Sequence, residues 1–324
     1  MKYLHRARGI LRRLRVASVT APALEAQENQ TTGEILDHAI ESWSSEIAKV
    51  LLDAPDLIVL PELCDRPKVG SISEKKQNEI ATSNDPRFLK FLAETARKHR
   101  AYIAFPTYRM DKEGLLWNSC IILDRRGEQV GCYDKNHLVT MENVERKIEY
   151  GEEIAVFDLD FGRVGIAICF DLNFTELLEK YRKSGIEILI FPSEYHGGLM
   201  QAYWAYQLRT YFLSSIRPPA PSTLLSPLGE LIATSTNYFN FFSHEVNLDY
   251  IVIHLDGHFE KLSLIKMRYG SKIKVVDPGR LGAVMIISES DAVSATDLVR
   301  EFSLTLLDDY LDASRIHRNK RLSK

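Results

Sequence analysis

The 324-residue chain reads as an α/β protein. Two observations predict this class. Short, continuously apolar segments such as Asp56–Leu60 (DLIVL) and Ile186–Phe191 (IEILIF) have the composition of strands buried on both faces. Between them lie segments with helical apolar spacing, one through Ile35, Ala39, Trp43, Ile47 and Val50, another through Phe174, Leu177, Leu178 and Tyr181. The chain is also long enough to bury a full core.

In chain order, Arg15–Thr20 (RVASVT) is a first strand. The helix after it opens on a capping box, Thr31 with Glu34. Strand 56–60 ends at Pro61-Glu62, and the polar stretch Lys68–Ser83 reads as a surface loop. Asp85-Pro86 starts a helix through Phe88, Leu92 and Ala96. Strands follow at 101–105, 117–123 and 128–133, the last two joined by the turn Asp124-Arg125-Arg126-Gly127. Segments 156–160 and 163–169 pair around Phe161-Gly162. Leu199–Ser215 reads as an aromatic-rich helix, 222–234 as a hairpin around Gly229, and Tyr250–Leu255 as the strand closing the α/β pattern. Beyond Asp256 the pattern changes to a strand at 281–287, a helix from about 296 to 312, and a basic tail. The expected division is a basic N-terminal extension (1–14), an α/β domain (15–257) and a C-terminal extension (258–324).

Composition excludes several classes. A net charge of −3 gives no global attraction to nucleic acid. No run of about 18 apolar residues is present to span a membrane. The basic N-terminus has no serine before Ser18 and reads as a solvated extension rather than a transit peptide. Cys64, Cys120, Cys132 and Cys169 show no CxxC or metal-finger spacing and read as reduced thiols of a cytoplasmic protein. His254 and His258 are four apart, but no third ligand is evident, so neither metal nor cofactor is expected.

The chain is organised around Gly165–Phe174 (GIAICFDLNF), a strand that runs into a sharp turn and a helix with a thiol at the turn. Such a cysteine is either a buried structural thiol or a nucleophile whose backbone neighbours supply N–H donors. Two further polar residues stand where buried strands end, Glu62 after LIVLP and Lys135 after GCYD. Strand ends on one edge of a sheet are where α/β folds place their sites. A carboxylate can take the thiol proton, and an ammonium can hold charge developing on an attacked carbonyl or nitrile. The backbone N–H of Phe170 is the natural second donor.

The flanking sequence is similar to that of the nitrilase superfamily, the carbon–nitrogen hydrolases. The matching stretches are LIVLPE to Glu62, NSCIILDRRGEQVGCYDKNHL through Lys135, VFDLDFGRVGIAICFDLNFTELLEKYRKSGIEILIFPSE around Cys169, and STLLSPLGELIA near Gly229. They fall between Val16 and Asp256. The resemblance implies a four-layer αββα sandwich and hydrolysis of a non-peptide C–N bond of a small amide through a thioester. Glu62 would be base and acid, Lys135 the oxyanion stabiliser and Cys169 the nucleophile, with no cofactor. It implies pairing of copies through the helices after the cysteine, and a second glutamate between Lys135 and Cys169. Glu142 and Glu145 both lie there, and Glu145 is favoured by its distance from Gly151. His137 matches K-x-H-L and either supports the lysine loop or meets substrate. Asp171 is expected to bond the N–H groups of the turn.

The match also has gaps. Asn173 stands where carbamoyl-amino-acid hydrolases keep an arginine, Thr175 where a proline is usual, and Arg217-Pro218-Pro219-Ala220-Pro221 where a glycine-rich loop is usual. Asn173, Tyr195 and His196 are candidate substrate contacts. Alternatives to an amidase are nitrile hydrolysis on the same residues, a metal-dependent phosphoesterase, and a catalytically silent scaffold that binds a partner protein.

Overall fold

A computed structural model describes residues 12–68, 70–83 and 85–323, so most of the expected N-terminal extension lies outside the described residues. The described residues divide into two compact units, Leu14–Glu245 and the residues from Val246 onward, the second also including Arg12 and Arg13.

The first sheet of the larger unit contains β1 (Arg13–Val19), β2 (Leu57–Val59), β3 (Tyr102–Met110), β4 (Leu116–Leu123) and β5 (Gln129–Asp134), with a short β6 (Ile148–Glu149) against β4. β1, β2 and β3 run parallel, and β3, β4 and β5 antiparallel. The second sheet holds β7 (Val156–Leu159), β8 (Gly162–Ile166), β9 (Ile188–Ser193), β10 (Tyr211–Ile216), β11 (Thr223–Leu225) and β12 (Leu231–Thr234). Its centre, β8–β9–β10, is again parallel. A late strand, β13 (Phe241–Asn247), completes the first sheet beside β1.

Helices cover the outer faces. α1 (Thr32–Leu51) carries the expected capping box: Thr31 Oγ1 accepts from the Glu34 N–H at 3.2 Å, and Glu34 Oε2 accepts from the Thr31 N–H at 2.8 Å. Ile35, Ala39, Trp43, Ile47 and Val50 of α1 pack with Phe88, Leu92 and Ala96 of a later helix against Ala17, Ile58, Ile103 and Ile121 of the first sheet. On the second sheet, Leu177, Leu178 and Tyr181 join Trp204, Ala205 and Leu208 over Ala167, Leu189, Phe191 and Phe212. Neighbouring strand residues such as Val16, Leu57, Val59, Ile188 and Ile190 are buried on the opposite, inner faces. Helix, sheet, sheet and helix make the four layers, and burial on both faces explains the unbroken apolar runs.

Four segments differ from the sequence expectation. The polar stretch 68–83 contains α2 (Glu74–Ala81), capped by Ser73, whose Oγ accepts from the Lys76 N–H. Only Ile80 and Ala81 of it are buried, so it shows no apolar stripe. After α3 (Arg87–His99), α4 (Thr140–Val144) and α5 (Thr175–Arg182), the expected long helix 199–215 is two elements. α6 (Leu199–Leu208) stops as Arg209 turns left-handed at φ 56°, and Tyr211–Ile216 becomes the fully buried β10. Its aromatic and aliphatic residues suit a central strand better than a helix face.

The remaining two differences lie in the smaller unit. β14 (Tyr250–His254) does not close the α/β core, but pairs with β16 (Ala283–Ser288), which also pairs with β15 (Ile273–Val276). The unit also contains α7 (Phe259–Tyr269), α8 (Ala295–Glu301) and α9 (Leu307–Leu322). The expected single helix 296–312 breaks near Ser303, at φ 47°, and the basic segment HRNKR continues α9. Ile251, Ile253, Ile265, Ile286 and Leu298 are among its core residues.

Candidate active site

Five strands of the larger unit end at one edge, and each delivers a polar residue there: Glu62 beyond β2, Lys135 after β5, Cys169 beyond β8, Glu194 after β9 and Arg217 after β10. All five line a cavity of about 840 Å³.

Glu62, Lys135 and Cys169 meet at its floor. Lys135 Nζ lies 2.8 Å from Glu62 Oε1, and the two side chains are only 2% and 3% exposed. A second carboxylate completes the ammonium's shell: Glu142 Oε2 at 3.0 Å. This is Glu142 and not the expected Glu145. α4 is so short that its register decides the matter. Glu142, in the first turn, faces Lys135 and also accepts from the Val139 N–H at 2.9 Å, whereas Glu145 is the exposed C-cap. Asn118 bridges the two acids, its Nδ2 donating to Glu62 Oε1 at 2.9 Å and to Glu142 Oε1 at 3.0 Å. Glu62 Oε2 accepts from the Glu194 N–H at 3.3 Å.

Burial favours the neutral acid of Glu62, but the Lys135 charge and the hydrogen bonds from Lys135, Cys169 and Asn118 outweigh it and hold the carboxyl below its usual value. Burial would discharge Lys135, yet Glu62, Cys169 and Glu142 raise its affinity for the proton. The Cys169 thiol is pushed up to about 12, first by burial and then by the Glu62 charge, against the opposing pull of Lys135, the Ser193 hydroxyl and the Glu194 N–H. The resting set is therefore carboxylate, ammonium and neutral thiol.

The backbone at the thiol is unusual. Cys169 has φ 48°, a left-handed conformation that costs a non-glycine residue about 1 kcal/mol or more. It opens a 3₁₀ turn, Cys169–Asn173. Asp171, fully buried, holds that turn. Its Oδ2 accepts from the Ile168 N–H at 2.9 Å and from the Tyr133 hydroxyl at 2.7 Å, and its Oδ1 accepts from the His137 N–H at 2.8 Å. One carboxylate thus joins the cysteine turn to the lysine loop.

The expected substrate contacts fall elsewhere. His137 stacks on Phe174 with ring centroids 3.8 Å apart, and its Nδ1 lies 3.1 Å from Asp171, so it braces the loop. Asn173 Nδ2 donates to the Phe170 carbonyl and to the Tyr195 hydroxyl, each at 3.0 Å. His196 Nδ1 accepts from the Gly198 N–H. None of His137, Asn173, Tyr195 and His196 lines the cavity. They follow the strands in sequence but are engaged with the neighbouring turns. Phe170, whose N–H was the expected second donor, is the second residue of the 3₁₀ turn.

The cavity walls bring in residues that carry no local signature. Arg217 Nε lies 2.7 Å from Glu194 Oε1, and its other arm donates to the carbonyls of Glu62 and Leu63, each at 3.1 Å. Tyr108, Arg66 and Arg146 form a further wall. Arg217 was legible only as a polar residue ending a strand, and that strand was read as a helix. Among the described residues, no cluster of His, Cys, Asp and Glu is arranged to hold a metal.

A neutral thiol against a carboxylate, beside a buried ammonium and under a cavity open to small molecules, can perform general-base-assisted attack on a polarised carbon. Comparison with known proteins identifies the family. The family model described as carbon-nitrogen hydrolase matches residues 15–224, more than half of the chain. The chain is 25% identical to "Nitrilase homolog 2" of Dictyostelium discoideum over 243 residues, 67% of this chain and 73% of that protein. It is 24% identical to "Omega-amidase NIT2" of Xenopus tropicalis over 219 residues, 60% of this chain and 78% of that one. The crystal structure of Saccharomyces cerevisiae Nit3, a nitrilase superfamily member, superposes with a TM-score of 0.60 at 18% identity, covering 83% of this chain and 97% of that one.

Proposed function

The chain belongs to the carbon–nitrogen hydrolase family and is an amidase-like member of the nitrilase superfamily, and from that premise we propose that Cys169, Glu62 and Lys135 hydrolyse a small amide through a thioester. The observation that carries the reading is that Glu62, bonded at 2.8 Å to the Lys135 ammonium, lines one cavity with Lys135 and Cys169, and that after burial its charge acts most strongly on the Cys169 thiol.

The sulfur attacks the amide carbon as its proton passes to Glu62. The charge that develops on the carbonyl oxygen is held by Lys135, with the Phe170 N–H as second donor. A single such donor is worth about 3–4 kcal/mol of barrier in other enzymes. Collapse breaks the C–N bond, and the leaving amine or ammonia takes the proton from Glu62. Water then gives a proton to Glu62 and adds to the thioester carbon. The C–S bond breaks, the acid product leaves, and the proton on Glu62 returns to sulfur. A thiol near 12 does not ionise by itself at neutral pH, so proton transfer belongs to the attack rather than preceding it. Glu142 holds Lys135 from the other side and keeps it charged.

The left-handed backbone at Cys169 supports the same reading, because strain of this kind is concentrated where a nucleophile must be presented. The reading extends to a cytoplasmic protein whose copies pair through the helices after Cys169, testable by sedimentation.

Incubation with short primary amides is expected to release ammonia and to leave an acyl mass on the Cys169 peptide in quenched samples. Turnover retained in Cys169→Ala would refute the assignment.

A further inference from the structure

We propose that Arg217 is a positioning residue for the general base: together with Glu194 it ties the ends of β9 and β10 to the Glu62–Leu63 turn and holds the Glu62 carboxylate in register across the two sheets. This rests on the reading of Glu62 as base to Cys169, and it names how that base is kept in place.

The need for such a tie follows from where the reacting groups come from. Glu62 and Lys135 stand at strand ends of the first sheet, and Cys169 at a strand end of the second. Sheets packed face to face through side chains can shift by fractions of an ångström, and a reaction between groups on the two is sensitive to that displacement. Asp171 fastens the cysteine turn to the lysine loop. The base stands elsewhere, beyond β2, and needs a fastening of its own.

Arg217 supplies it from the second sheet. Its own N–H donates to the Ser193 carbonyl at 3.1 Å, so its place is set by the register of β9 and β10, in which Ile216 pairs with Ser193. One arm of its guanidinium crosses to the first sheet and donates to the carbonyls of Glu62 and Leu63, each at 3.1 Å. Its Nε lies 2.7 Å from Glu194 Oε1. The side chain is only 9% exposed, where an unpaired cation would not persist and a rigid fork of donors meets three acceptors at once. Leu63 has φ 51°, a left-handed backbone that persists in a leucine only under constraint, and its carbonyl is one of those the fork holds.

The grip reaches the carboxylate itself. Glu62 Oε1 accepts from Lys135 at 2.8 Å and from Asn118 at 2.9 Å, which leaves Oε2 as the oxygen for the proton. The Glu194 N–H lies 3.3 Å from Oε2. Glu194 thus meets the base through its N–H and Arg217 through its side chain, while Arg217 meets the main chain of the base. The three residues form a closed ring of contacts that fixes both the backbone of Glu62 and the plane of its carboxylate. Opening any link frees that plane to turn. The prolines that follow Arg217, where a glycine-rich loop is usual, stiffen the segment that carries the fork.

The test is kinetic, on butyramide and succinamate, a neutral and a carboxylate-ended amide of equal length. Arg217→Met is expected to lower kcat for both by about tenfold to a hundredfold, the range for a misplaced reacting group, with KM within about threefold of wild type. Arg217→Lys keeps the charge but not the fork and should recover part of the loss. Glu194→Ala opens the ring from its half-exposed side, where folding is least affected, and should lower kcat about tenfold. Glu194→Gln keeps an acceptor for Nε and should lower it less. Combining Arg217→Met with Glu194→Ala should lower kcat no further than Arg217→Met alone, because members of one contact ring are not additive. Wild-type kcat in Glu194→Ala, or losses that multiply in the double variant, would overturn the proposal and leave the amidase reading intact. So would a loss confined to KM for succinamate, which would make Arg217 a substrate contact. Turnover surviving Cys169→Ala would instead remove the reading on which the proposal rests.

Discussion

Lys135 Nζ and Glu62 Oε1 are 2.8 Å apart in a place almost closed to water, where neither charge could persist alone. Lys135→Met would leave Glu62 and Glu142 facing each other without their cation. The expected cost is about 3–5 kcal/mol of stability and at least a hundredfold in turnover, read by urea denaturation and by ammonia release. Glu62→Gln should be milder for stability, because Glu142 still holds the lysine and Asn118 keeps a carbonyl acceptor.

The two charges fix the pH window of that pair. Glu62 is depressed, so its contribution is full above its ordinary value of 4.5 and is lost as pH falls through the lower folded value. Lys135 is raised, so its contribution is full below 10.5 and is lost as pH rises through the higher folded value. A double-mutant cycle on the two residues should therefore give a coupling that is flat across neutral pH and declines at acid pH only below 4.5. A decline centred near pH 6 would contradict the assignment.

Cys169 offers a separation of acidity from activity. After burial, the Glu62 charge is the main cause of its high value, while Lys135 lowers it. Glu62→Gln removes the raising charge and keeps the lowering one. The variant should form thiolate at lower pH than wild type, visible as an earlier rise in iodoacetamide alkylation, and yet hydrolyse amides more slowly. A thiol whose titration ignores Glu62 would break the link.

Asp171 accepts from two backbone N–H groups and the Tyr133 hydroxyl, with His137 Nδ1 3.1 Å from its Oδ1. Asp171→Asn turns an N–H₂ toward one of those groups and removes the charge. A loss of about 2–3 kcal/mol is expected, within the range for an unsatisfied buried donor. Activity should fall further than stability, since the turn that presents Cys169 moves. Paired thermal unfolding and kinetics would show the difference.

Gly151 closes the lysine loop from outside. Its N–H donates to the Lys135 carbonyl at 2.9 Å, and a Cβ there would lie 2.1 Å from the Asp134 carbonyl oxygen. Gly151→Ala should cost about 1–3 kcal/mol by overpacking and should displace Lys135, so that turnover falls while the thiol still alkylates.

The strands and their ends were legible because two-sided burial writes itself as unbroken apolar sequence, and Glu62, Lys135 and Cys169 interrupt those runs. The choice between Glu142 and Glu145 was not legible. It depends on the register of a five-residue helix, and spacing to Gly151 does not report that. β10 was misread because an aromatic-rich run after a helix, with no proline or glycine between, keeps the helical composition, and the break is made by Arg209 in a left-handed conformation. Tyr108, Arg146 and Arg217 come from three distant segments whose meeting depends on how the two sheets face each other. The candidates His137, Asn173, Tyr195 and His196 were adjacent in sequence to the strand ends, but none of them lines the cavity, and His137 and Asn173 bond to neighbouring turns instead.

The reactive floor is fastened to sheet ends and to one buried carboxylate, whereas the wall with Arg146 hangs on a five-residue helix and the segment after Glu62. Such a division makes the cavity wall easier to alter than the reactive floor, because exposed turns tolerate substitution better than buried sheet ends. Laboratory evolution toward new amides should accumulate its substitutions around α4 and α2, and leave the sheet edge untouched.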